Sequence, residues 1–183
     1  MIRNHGRRAV LAAGLAALVI TLPACVNPQK QLESGPIGAN ASAATIDVHN
    51  VHTEPPEKAS YSIGDDVVVR FALFNRAEVR DELRRVETSL ATQVRLHWDA
   101  DCDGTAEPTS RLPLPANSTV PEPPGGGPGT AYHLELLGLN EEVREGTTMP
   151  LTFTFEKAGP VTVDALVPTG EDSEVPPLGC EPG

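Results

Sequence analysis

Asp99, Asp101 and Asp103 stand at alternate positions ahead of Gly104. That is how a calcium loop opens, with hard oxygen donors on every second residue and a glycine for the sharp turn. The acid that should close such a loop falls at Ser110, with Glu107 the nearest substitute. The same residues suit an acidic turn after a strand, since Asp and Gly favour turn geometry. A Ca(II) site at these three aspartates is therefore one expectation, and a plain turn is the other. Farther along, His133-Leu134-Glu135 sets an imidazole and a carboxylate two residues apart, which on a strand puts both on one face. His49 and His52 are three apart, so a strand would turn them to opposite faces, and they read as ordinary surface residues. Trp98 alternates with Val94 and Leu96 and reads as core. No Gly-x-Ser-x-Gly elbow, phosphate-cradling loop, clustered His motif or thiol with an evident base is present, so no enzymatic activity is expected.

The chain starts with a basic segment (Arg3, Arg7, Arg8), then an apolar run from Ala9 to Leu22, then small residues, the three parts of an export signal. The apolar run is too short to span a bilayer as a stable helix. Leu22-Pro23-Ala24-Cys25 resembles the lipobox of bacterial lipoproteins, which implies cleavage after Ala24 and a lipid on Cys25. Two acyl chains would anchor the protein stably, on the outer face of the cytoplasmic membrane. Removing residues 1–24 removes three Arg and no acid, which takes the formal charge from −11 to −14. Such a surface repels nucleic acid, so none is expected as a partner. With Cys25 lipidated, Cys102 and Cys180 remain, and in an oxidising compartment two such thiols read as one disulfide, with copper ligation as the alternative. That bridge would close a loop of about eighty residues and contribute about 4 kcal/mol in the chain-entropy model.

These groups need a scaffold, and the pattern supplies strands. Residues 25–44 are polar and small and read as a disordered tether. Residues 169–183 read as an acidic, Pro-rich tail, and Pro121–Gly129 as an exposed loop. Between them lie β-type runs at Thr45–His52, Asp66–Asn75, Thr92–Asp99, Ala131–Leu139, Met149–Glu156 and Val161–Val167. Leu151, Phe153 and Phe155 alternate with Thr152, Thr154 and Glu156, the period of a half-buried strand. Asp81–Ala91 could form a helical turn or a further strand, and the strand is favoured. Short strands with Gly/Pro turns predict an all-β antiparallel sandwich over residues 45–168.

Three stretches carry a family resemblance. Tyr132-His133-Leu134-Glu135-Leu136-Leu137-Gly138-Leu139, then Val143-Arg144-Glu145-Gly146, then Leu151 to Val163 with its Phe-Glu-Lys-Ala-Gly block, resemble the C-terminal half of the periplasmic PCu(A)C copper chaperones. Val94-Arg95-Leu96-His97 resembles that family's first histidine strand, and Thr45–Val51 its first strand. The resemblance implies a cupredoxin-like Greek-key fold and a copper-handling role outside the cytoplasm, with envelope metalloproteins as partners.

The family holds Cu(I) with two His and two Met, and here His97 and His133 occupy both His positions. Glu135 stands where one Met should be, and Thr105–Thr109, where the other falls, contains none. Thioethers select Cu(I), whereas a carboxylate suits harder ions. The expected site is thus His97, His133 and Glu135, taking Cu(II) or Zn(II) in preference to Cu(I). The rival reading is an envelope interaction lipoprotein that kept the fold and lost the metal. One expectation is independent of either. Mass spectrometry of the unreduced mature protein should find Cys102 joined to Cys180, and two free thiols would refute the bridge.

Overall fold

Alternation decides the elements. In Val67–Asn75 the odd-numbered residues Val67, Val69, Phe71 and Leu73 are buried, while Val68, Arg70 and Ala72 between them are only half-buried. A strand is the one backbone that separates neighbours this way. The computed structural model describes residues 38–101, 103–120 and 132–170. It contains β1 (Ala39–Ala43), β2 (Ile46–Thr53), β3 (Ser60–Tyr61), β4 (Val67–Asn75), β5 (Asp81–Glu87), β6 (Ala91–Trp98) and β7 (Glu107–Thr109). β8 (Leu112–Leu114), β9 (Ser118–Val120), β10 (Tyr132–Leu139), β11 (Val143–Arg144), β12 (Thr148–Phe155) and β13 (Gly159–Leu166) follow.

One curved sheet runs in the order β7-β6-β10-β4-β2-β13-β12-β5-β8, with β1 on β2, β9 on β4, and a separate β3–β11 ribbon. It folds over a core centred on Phe71, whose ring meets Tyr132 at 5.0 Å and Phe153 at 5.3 Å, both edge-on. Met149, the sole methionine outside the signal-like segment, is fully buried in that core.

The six strands read from the sequence all form within a residue or two of the expected bounds, and Asp81–Glu87 is a strand. Three findings differ from the expectation. The tether was expected to reach residue 44, but Ala39–Ala43 pairs with β2. Gly38 lies so close to this layer that a Cβ would sit 2.5 Å from the Asn50 backbone. Small residues are therefore what this strand needs to lie flat against its neighbour. The pairing of β13 with β2 is parallel, at Leu166 and His52, although the remaining ladders are antiparallel. His52 is buried, not on the surface. The β2–β4 register slips between His49 and His52, and Asn50 has φ +54°. A bulge inserts one residue and inverts the alternation after it, so Val51 and Thr53 turn to the core while His52 shares the outer face with His49, not the opposite face that their spacing implied, and is buried there. Cys25, Cys102, Cys180 and Pro121–Gly129 lie outside the described residues.

Two buried polar side chains fix the end of the sandwich where β5 begins. Asn75 donates from Nδ2 to the carbonyls of Val79, Leu114 and Pro115, and its Oδ1 accepts from the Ala77 amide. The Asp81 carboxylate accepts from the amides of Glu82, Lys157 and Ala158. Lys157 and Ala158 form the β12–β13 turn, so the Phe-Glu-Lys-Ala-Gly block is a hairpin tied to β5 through a carboxylate. A buried amide left without its acceptor costs its desolvation penalty. Asp81→Ala should therefore lower stability by about 3 kcal/mol in urea unfolding, with the fold retained. A change within about 0.5 kcal/mol, the range of ordinary surface substitutions, would contradict this role.

Candidate metal centre

Strand β10 lies between β4 and β6 and presents His133, Glu135 and Leu137 on the face away from the core. Its register with β6 puts His133 directly opposite His97, and Glu135 opposite Arg95. On the other side Leu134 pairs with Val69 and Glu135 with Val68, so the next rung sets His133 beside Arg70. Arg70 in turn pairs with His52. Four strands thus carry His52, Arg70, His133 and His97 as one row across the sheet.

Within that row His97 and Glu135 meet, with Nε2 and Oε2 3.2 Å apart. The His97 Nδ1–H donates to the Ala106 carbonyl. That bond fixes the tautomer, so in the neutral ring Nε2 turns a lone pair toward a carboxylate. Two acceptors face each other, and a cation between them, proton or metal, is what relieves the repulsion. The spacing suits either: ligand atoms bound at about 2.0–2.2 Å with bond angles between square and tetrahedral lie about 2.8–3.6 Å apart.

His133 does not complete the trio. Its ring stacks on His97, centroids 4.9 Å apart and planes 9° from parallel. Imidazole lone pairs lie in the ring plane, so parallel rings aim their donors side by side. The three-ligand site expected from the sequence is therefore brought together but not closed. Among the described residues no group of three His, Cys, Asp or Glu side chains converges as a metal cage.

Burial lowers the His133 pKa, with the charges of His97 and Arg70 acting the same way and Glu135 and Glu54 opposing. A neutral imidazole, the form that ligates, is thereby favoured.

The aspartates behave as turn residues. Buried Asp99 accepts from the amides of Asp103 and Gly104, and Asp103 accepts from the Thr105 amide. Asp101 is exposed. The carboxylates thus hold the β6–β7 turn. Trp98 is half-buried at its edge, packed against the core.

Sequence reasoning missed Arg70, Glu54 and His52 as neighbours of this site. Arg70 donates to Glu54 at 2.6 Å. The outward alternation of Arg70 was visible, but which strand lies beside β10 is set by chain crossing and leaves no local signal.

Residues 46–167 match the LpqE-like family. The chain belongs to that family. Among solved structures, the copper-bound PCuAC domain from PmoF2 is similar with TM-score 0.55 and 25% identity, over 71% of this chain and 97% of that one. The apo PCuAC domains of PmoF2 and PmoF1 share the fold, each with TM-score 0.54, at 24% and 19% identity. They cover 72% and 71% of this chain, and 94% and 98% of their own. No curated protein matches. This LpqE-like chain therefore has the cupredoxin-like sandwich of PCuAC domains.

His52 provides a test of the row's electrostatics. It is buried, its Nδ1 donates to the Asn50 carbonyl, and its Nε2 has no protein partner. Burial is the main cause that lowers its pKa below the ordinary 6.5. The unfolded chain then binds protons more readily than the folded one, so stability falls as pH drops below 6.5. His52→Gln should flatten that dependence in urea unfolding between about pH 7.5 and 5.5. An unchanged slope would show that His52 does not titrate with unfolding.

Proposed function

We propose that the protein is a lipid-anchored metal carrier of the bacterial cell envelope, taking Cu(II) or Zn(II) at His97, His133 and Glu135. The observation that carries this is His97 Nε2 facing the Glu135 carboxylate at 3.2 Å, with Nδ1 against the Ala106 carbonyl. A neutral imidazole and a carboxylate in that relation form half of a coordination sphere for a borderline ion. His133 supplies a third donor by turning out of the stack, and water completes the set. The substitution of carboxylate for thioether disfavours Cu(I), because a hard oxygen does not compete for a soft ion. The ion is cargo in this reading, held by few ligands at the sheet surface, where a recipient metalloprotein can reach it.

Placement on the outer face of the cytoplasmic membrane, through a lipid on Cys25, belongs to the same proposal. It rests on the export-signal pattern and the Leu22-Pro23-Ala24-Cys25 sequence. The parallel stacking of His97 and His133 favours a second reading, an envelope interaction lipoprotein that binds no metal.

Calorimetry separates the two. The parent should bind Zn(II) and Cu(II) at one site, binding should weaken as pH falls through the histidine range, and His97→Ala with His133→Ala should abolish it. A double variant that binds both ions as well as the parent would favour the interaction protein. For the anchor, Cys25→Ser should move the protein out of the washed membrane fraction, and persistence there would refute the lipid.

A further inference from the structure

Arg70 is the only fixed cation in the row His52, Arg70, His133, His97, and it stands beside His133, a proposed metal ligand. Its guanidinium is held aside by Glu54, with Nη2 at 2.6 Å and Nε at 3.3 Å from Oε1. Glu54 belongs to the adjoining rung, since its amide donates to the Val68 carbonyl at 3.0 Å, and Val68 is paired with Glu135. Two bonds therefore join the same two rows, Arg70 to Glu54 and His97 to Glu135. Arg70 and Glu54 both act electrostatically on His133, in opposite directions, after the larger effect of burial. The pair is partly exposed, at 31% and 49%, so it does not fold the sheet by itself.

We propose that the Arg70–Glu54 pair is the charge-selecting element of the metal site: Arg70 repels the incoming ion in proportion to its charge, and Glu54 sets how much of that field reaches it. This rests on the metal reading above. Arg70 touches no donor atom and acts only through the ligands' potential. Its consequence is a preference among ions that the ligands do not themselves supply. A fixed charge at a given distance costs a divalent ion twice the free energy it costs a monovalent one. The fold-change in affinity on removing that charge is therefore, for Zn(II), about the square of the fold-change for Ag(I). Both ions are redox-inert, so neither changes its charge during the measurement.

The experiment measures Zn(II) and Ag(I) affinities by competition titration for the parent, Arg70→Gln, Glu54→Gln and the double variant. Arg70→Gln should tighten Ag(I) by roughly three- to tenfold and Zn(II) by roughly ten- to a hundredfold. Glu54→Gln should weaken both, Zn(II) more, and Arg70→Gln introduced into that background should again tighten both with the same squared relation. A variant that merely destabilises the domain lowers both affinities and cannot imitate the gain.

Equal fold-changes for the two ions, or no change, would overturn the proposal while leaving the metal site in place. Tightening that disappears in the Glu54→Gln background would overturn it too, because Glu54 would then be acting as a released ligand. A parent that binds neither ion would remove the site reading together with this one.

Discussion

The register of β10 against its two neighbours is the constraint on which the rest of the site depends. Seven residue pairs align β10 with β6, from Tyr132–Trp98 to Leu139–Ala91, and three align it with β4. A slip of one residue would turn every side chain of the strand to the other face. Leu134 and Leu136, fully buried on one side, therefore enforce the position of His133 and Glu135 on the other. Tyr132 locks the strand's start, since its hydroxyl accepts from the Leu73 amide across the core while its ring packs on Phe71. Burial raises the Tyr132 pKa far above the ordinary range, so this bond is made by a neutral phenol. The positions of His97, His133 and Glu135 on the sheet are thus set by the hydrophobic core.

Much of this was legible in the sequence because period-two alternation is a local signal. Val67 to Asn75 and Thr148 to Phe155 declare themselves as strands, and His133-x-Glu135 declares a shared face. What was not legible is non-local or depends on one backbone angle. The parallel contact between β13 and β2 follows from closure of the sheet. That His52 shares a face with Arg70 follows from a bulge at Asn50, a residue type that tolerates positive φ but does not announce it. Ala39–Ala43 was hidden for a different reason. Its composition is that of a linker, and only the close approach of Gly38 and Asn50 explains why small residues form an ordered strand there.

The candidate site was legible in its donors and not in their arrangement. The sequence identified two imidazoles and the carboxylate standing where a thioether is expected. It could not reveal that the Ala106 carbonyl accepts from His97, that His133 stacks against His97, or that Arg70 stands beside His133 in the same row. These are the features that decide the chemistry. The first makes His97 and Glu135 a pair that requires a cation. The second keeps the third donor turned away until the ring rotates. The third adds a positive charge to a place where a cation would bind, with Glu54 moderating it. In the proposed reading, loading costs a side-chain movement, and that suits a carrier better than a permanent metal store.

The central claim is that both imidazoles ligate despite the parallel stacking of their rings. Pulsed electron paramagnetic resonance of the protein loaded with one equivalent of Cu(II) counts coordinated imidazoles through their remote nitrogens. The account predicts two, with one lost in each of His97→Ala and His133→Ala. A spectrum showing a single imidazole, or one unchanged by either substitution, would contradict it.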